Sequence, residues 1–140
     1  MEENFQFSNL QFYNQGTMNN EQFPNKYNLE ERTAVFGEQI IKLCRTTKSD
    51  KLIDPILNQL IRSGTSIGAN YMEANGASSK KDFKNKIFIC KKEAQETKHW
   101  LRMLKGFSLE QLDIIERLWK EAQELTLIFQ KITSSLKIND

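Results

Sequence analysis

Lys84, Lys91, Lys98 and Lys105 stand seven residues apart, beside Phe83 and Ile87, which read as core positions of a helix. Seven residues are two helical turns, about 10 Å of rise, so the four ammonium groups form one straight row next to the core seam. Lys81 and Arg102 fall on an adjoining face. Several cations at fixed orientation suit phosphate binding, because each contact releases a condensed counterion. The competing reading is a solvated face whose lysines pair with Glu110, Glu116, Glu121 and Glu124 on the following helix.

The distribution of charge sharpens the choice. The formal net charge of the 140-residue chain is only +2. Residues 80–105, however, hold nine Lys/Arg against Asp82, Glu93 and Glu96, whereas residues 1–27 and 106–140 each carry a net −2 and residues 28–79 balance. Nearly all the basic character therefore sits on one helix.

Other residue types that could do chemistry do not assemble a site. His99 is the single histidine, and Cys44 and Cys90 fall at core-like helix positions, so no metal set is expected. A di-iron carboxylate bundle needs a Glu-x-x-His on each of two helices, and one histidine cannot supply that pair. Gly64 and Gly68 lie inside a helical pattern, not between a strand and a helix, so they are not a phosphate loop. No base partners a Ser or Thr by motif. The pattern points away from an enzyme and implies no cofactor. With two cysteines, an acidic start (MEENFQFSNL) and no long apolar run, the chain reads as a cytoplasmic protein with no membrane segment.

The elements that position these residues are legible as helices. Asn28 with Glu31 makes a capping pair, after which Leu29, Thr33, Phe36, Ile40 and Leu43 recur at steps of four and three. A second helix is expected to start with Asp54 as N-cap and Pro55 in the first turn. It carries Leu57, Leu60, Ile61, Ile67 and Tyr71, and stops at Ala74-Asn75-Gly76, where Asn75 or Gly76 can take a left-handed cap. Gly64 and Gly68 share its apolar face. Each costs about 1 kcal/mol in a helix interior, which calls for a close neighbouring backbone as compensation. The third helix is capped at Ser78 or Ser79 and runs through Phe83, Ile87, Cys90, Ala94, Thr97, Leu101 and Leu104. The fourth, capped at Ser108, carries Leu112, Ile115, Leu118, Ala122, Leu125, Phe129, Ile132 and Leu136. The expectation is an all-α, up-down-up-down antiparallel four-helix bundle over 28–138, with helices at about 28–46, 54–74, 79–105 and 109–136. Residues 1–27, rich in Asn and Gln, are expected to form a flexible polar tail.

Two further features point to association. Phe88, Ile89 and Trp100 fall outside the third helix's seam and Trp119 adjoins that of the fourth, more apolar surface than one bundle obviously buries. A wider core stripe would absorb one or two of them. Arg62, Ser66, Asn70 and Glu73 stand at steps of four, four and three, a polar row beside the Gly64/Gly68 notch that suits a register-fixing contact within or between protomers.

The stretch Arg62-Ser63-Gly64-Thr65-Ser66-Ile67-Gly68-Ala69-Asn70-Tyr71-Met72-Glu73 resembles the 23S rRNA intervening-sequence protein family, whose pattern is Arg, then Ser-Ile-Gly-Ala-Asn, then Glu-Gly. Lys92-Glu93-Ala94-Gln95-Glu96-Thr97-Lys98-His99-Trp100-Leu101 is similar to that family's Glu-Ala … Glu … Trp-Leu segment. The resemblance covers about 30–136 and departs at Ala74, where the family has Gly. It implies a bacterial homopentameric ring of four-helix bundles. A related accessory protein of diversity-generating retroelements is basic and binds nucleic acid and a reverse transcriptase. By that resemblance the expected partners are further copies of the chain, RNA or DNA, and a reverse transcriptase or other protein.

Overall fold

The computed structural model describes residues 28–137. Four helices follow in order: α1, Leu29–Thr46; α2, Asp54–Asn75; α3, Lys80–Lys105; and α4, Leu112–Ser135, the last preceded by a 3-10 turn at Leu109–Gln111. The expected all-α four-helix bundle is the observed fold. Its antiparallel sense is visible in the cross-links between helices. As the α3 partner advances through Lys84, Lys91, Lys98 and Lys105, the α4 side recedes through Leu136, Gln130, Gln123 and Glu116. Short connections enforce this arrangement, since they leave no chain for a crossover. The expected polar tail, residues 1–27, lies outside the described residues.

The helix ends show where local chemistry decides. The Asn28 carboxamide accepts from the Glu31 N–H at 3.0 Å, and the Ser79 hydroxyl accepts from the Asp82 N–H at 3.0 Å. Each satisfies a backbone donor that the first turn would otherwise leave open. Three expected ends differ. Asp54 is already the first helical residue, with Ile53 in the cap position. Asp50 does the capping work instead: its carboxylate accepts from the N–H groups of Leu52 and Ile53, both at 2.8 Å, and its carbonyl accepts from Asp54. At the other end of α2, Gly76 has φ −95°, not a left-handed conformation. The chain leaves through consecutive tight turns, Gly76 N–H to Glu73 O and Ala77 N–H to Ala74 O, which need no positive φ. Ser108 does not cap α4 directly, because the 3-10 turn intervenes and Gln111 takes the cap position. Gln111 also ties two loops together, accepting from Thr47 Oγ1 at 2.7 Å and donating to Thr46 Oγ1 at 3.0 Å.

Inside, Phe36, Ile40, Leu60, Ile67, Tyr71, Phe83, Ile87, Leu101, Leu118, Leu125 and Phe129 are fully buried in one continuous core. Tyr71 of α2 meets Phe129 of α4 across the bundle diagonal, ring centroids 6.3 Å apart. Each such side chain contributes roughly 1.5–3 kcal/mol by leaving water. The two glycines of α2 serve the close approach their position calls for, and the neighbour is α1. A Cβ on Gly64 would stand 2.9 Å from both Cγ1 and Cγ2 of Ile40, and one on Gly68 would meet the Thr33 backbone at 3.4 Å.

The seam between α1 and α4 is the slimmest of the bundle and is fastened by charge. Arg32 grips Glu121 in a bidentate pair, Nε to Oε2 at 2.7 Å and Nη2 to Oε1 at 2.6 Å, and Nη2 also reaches Glu124 Oε2 at 2.8 Å. The Arg32 and Glu121 side chains are 3% and 4% exposed. Burial works to lower the Arg32 pKa, but hydrogen bonds and charge from Glu121 and then Glu124 override it and hold the guanidinium above its ordinary value. Burial raises the Glu121 carboxyl, against the opposing pull of Arg32, and the Glu124 charge adds to the rise. The directions agree with the stoichiometry, since one cation is shared by two carboxylates and the cluster is net negative.

Candidate nucleic-acid interface

The lysine row lies along the groove between α3 and α4, and each member crosses that groove. Lys84 Nζ donates to the Leu136 carbonyl at 3.2 Å and Lys91 Nζ to Gln130 Oε1 at 2.7 Å. Lys98 Nζ donates to Gln123 Oε1, and Lys105 Nζ pairs with Glu116 Oε1 at 3.2 Å. The geometry follows from side-chain length: from the edge of the seam a lysine lays its apolar stem over the neighbouring helix and keeps its head in water. Three of the four acceptors are neutral, so those hydrogen bonds orient the ammonium groups without cancelling their charge. Of the four acids that could have neutralised the row, Glu116 alone does so. Glu121 and Glu124 are drawn away to Arg32 on the other side of α4. Glu110 stands in the 3-10 turn and pairs with no lysine of the row among the described residues.

Aromatic side chains are interleaved with this row. Lys91 Nζ lies 5.4 Å from the Phe88 ring centroid and Lys98 Nζ 5.1 Å from that of Trp119, both within cation–π range. Phe88 is 43% exposed and Trp119 38%. At the end of the row Trp119 helps line a cavity of about 500 Å³ between α3 and α4, together with Leu101, Arg102, Lys105, Ile115, Glu116 and Lys120. Arg102 thus meets Lys105 at this cavity, whereas Lys81 stands exposed near the opposite end of α3.

The polar row of α2 goes elsewhere. Arg62 pairs with Glu93 at 3.1 Å and with Glu96, both on α3, and Glu73 pairs with Lys86 at 3.4 Å. Ser66 and Asn70 bond back to carbonyls of their own helix, Arg62 O and Ser66 O. The two ends of the row, Arg62 and Glu73, therefore tie α2 to α3 inside one protomer, while Gly64 and Gly68 face α1. Trp100 is half-buried against the core, with His99, exposed, standing edge-on to it at 4.9 Å. The wider core stripe thus absorbs Trp100 but leaves Phe88 and Ile89 exposed. Both cysteines are buried, and that burial pushes the Cys44 thiol up to about 11 and the Cys90 thiol up to about 12. Among the described residues no three His, Cys, Asp or Glu side chains come together as a metal set, and no helix is long and apolar enough to cross a membrane.

Sequence reasoning missed the Arg32–Glu121–Glu124 cluster and the neutral acceptors Gln123 and Gln130. A signal for the first was present. Arg32 lies three after Leu29 and four before Phe36, and Glu121 three after Leu118 and four before Leu125. Opposite charges thus stand on two core seams. The glutamines carried a fainter signal: Glu116, Gln123 and Gln130 stand seven apart on the fourth helix, the same step as the lysines they meet.

The family model described as 23S rRNA-intervening sequence protein matches residues 25–136. Among solved structures, the chain is similar to a protein of unknown function from the S23 ribosomal protein family of Bacteroides thetaiotaomicron. The two share 31% identity with a TM-score of 0.67, over 76% of this chain and 98% of that one. No curated protein matches the chain.

Proposed function

The chain belongs to the 23S rRNA-intervening sequence protein family, and from that premise we propose a non-catalytic, self-associating adaptor that binds RNA or DNA along the α3/α4 face. The observation that carries this reading is the neutral partnering of Lys84, Lys91 and Lys98. Their ammonium groups are aligned in advance, so a phosphate backbone meets cations that have little conformational freedom left to lose and no carboxylate to displace. A face of lysines already paired with acids would offer neither advantage.

Self-association is supported by a different surface. The outer groove between α1 and α2 is lined chiefly by small and apolar residues, among them Ala34, Gly37 and Ala69 with Ile41 and Met72 exposed, and the acids Glu30 and Glu38 also border it. It is small-residued, mostly apolar, and lies on different helices from the lysine row. The family resemblance sets the expected assembly at five copies. A ring would repeat the row, so that individually weak phosphate contacts add through effective concentration.

The test is a charge reversal with a built-in control. Lys84→Glu/Lys91→Glu/Lys98→Glu should abolish retention of RNA and DNA oligonucleotides in an anisotropy titration. Lys42→Glu/Lys48→Glu/Lys51→Glu, which makes the same change in net charge with exposed residues of α1 and the α1/α2 loop, should leave it within about twofold. Equal binding by both variants removes the proposal and favours an oligomer that contacts protein alone.

A further inference from the structure

Resting on the nucleic-acid reading above, we infer that the cavity around Trp119 takes an unpaired base, so that the face prefers single strands to duplexes. Trp119 supplies a flat aromatic surface, 38% exposed, at the mouth of a cavity of about 500 Å³. That volume lies within the roughly 300–1,000 Å³ range of small-ligand sites. The floor is apolar, from Leu101 and Ile115. The rim carries Arg102, Lys105 and Lys120 against the single acid Glu116, which Lys105 already engages. An apolar aromatic slot ringed by surplus cations matches a planar ring with a phosphate on either side. A duplex keeps its bases stacked on one another and presents phosphates alone, so it gains nothing from the indole.

Two other observations support the assignment. Lys98, a member of the row, stands over Trp119, so the slot is continuous with the phosphate-binding track. Phe88, beneath Lys91, repeats the pairing of an aromatic with a lysine one heptad earlier. Alternating cations and ring faces along a groove are what sequence-tolerant single-strand binding needs.

The chain contains two tryptophans, so Trp100→Phe leaves Trp119 as the sole indole reporter in an otherwise full-length protein. Titration with a single-stranded uridine oligonucleotide should quench its emission, and a blunt RNA duplex of equal length should quench it much less. Trp119→Leu should weaken single-strand binding by about 5- to 100-fold while changing duplex binding less than about twofold, and Trp119→Phe should restore most of the loss. If Trp119→Leu binds the single strand as tightly as the parent, or the indole is unquenched while the strand is bound, the base slot is refuted and the basic face stands. If neither nucleic acid binds the parent at all, both readings fail together.

Discussion

Replacing Arg32 with methionine removes the charged cluster that fastens α1 to α4. Methionine keeps an unbranched apolar stem but removes three hydrogen bonds of 2.6–2.8 Å. Two carboxylates then face each other without a cation, one of them, Glu121, almost wholly enclosed. Breaking a buried ion pair from one side typically costs about 3–5 kcal/mol, because the surviving charge stays buried and uncompensated. For a domain of this size that corresponds to a fall in Tm on the order of 10 °C or more. The loss should depend on pH, and its sign follows from the Glu121 carboxyl. Burial already raises its pKa in the folded protein while Arg32 opposes the rise. Without Arg32 the folded value moves further up, whereas the unfolded value stays near the ordinary carboxylate range. Between those two values the folded state holds the extra proton, so stability falls as pH rises through the window. The variant's deficit should therefore be greatest near neutral pH and shrink as the solution is acidified toward about pH 5, above the unfolded value of about 4.3. Urea unfolding followed by helical circular dichroism, for parent and variant across this range, measures both quantities. A deficit below about 1 kcal/mol, or one that does not vary with pH, would refute the view that Arg32 neutralises a buried acid here.

The α1/α2 contact and the thiols yield two more predictions. Gly64→Ala should destabilise by about 0.5–2 kcal/mol, since overpacking against the buried Ile40 outweighs the roughly 1 kcal/mol gain in helix propensity. Gly68→Ala, whose added methyl meets its neighbours at 3.3–3.4 Å, should lie closer to neutral. Chemical denaturation of the two variants side by side decides this, and a stabilised Gly64→Ala would contradict the close approach. Cys44 and Cys90, buried and with pKa values pushed up to about 11 and about 12, should resist iodoacetamide at neutral pH in the folded protein and react on unfolding. Mass spectrometry before and after denaturant reads this directly, and rapid alkylation of the native protein would count against the core assignment.

The four helices were legible because their seams repeat at steps of three and four and the chain between them is short. The Asn28 cap, and the third-helix cap as one of Ser78 and Ser79, were legible for the same local reason, a side chain facing a backbone donor three residues on. The loop between α1 and α2 was not. Asp50 and Asp54 are both plausible caps by type, and which of them acts depends on a turn that only the folded chain selects. The Gly64/Gly68 notch announced a close neighbour without naming α1. The lysine row was visible as spacing, but its electrical state was not. Whether Glu121 and Glu124 would neutralise it depended on a partner, Arg32, 89 and 92 residues away in the chain. Once those acids turn inward, Gln123 and Gln130 are left to meet the lysines. Trp119 looked like surplus apolar surface until the cations around its cavity gave it a polar context.

The most direct test of the α3/α4 face is the salt dependence of its binding. Oligonucleotide affinity of the parent should fall steeply and linearly on a double-logarithmic plot against salt concentration. For a single strand, the slope should lessen by about 0.7 for each phosphate-neutralising lysine removed. Lys91→Gln/Lys98→Gln, which deletes two cations that neutral glutamines hold in place, should therefore flatten it by about 1.4. A slope unchanged in that variant, or an affinity indifferent to salt in the parent, would contradict the claim that the row binds phosphate.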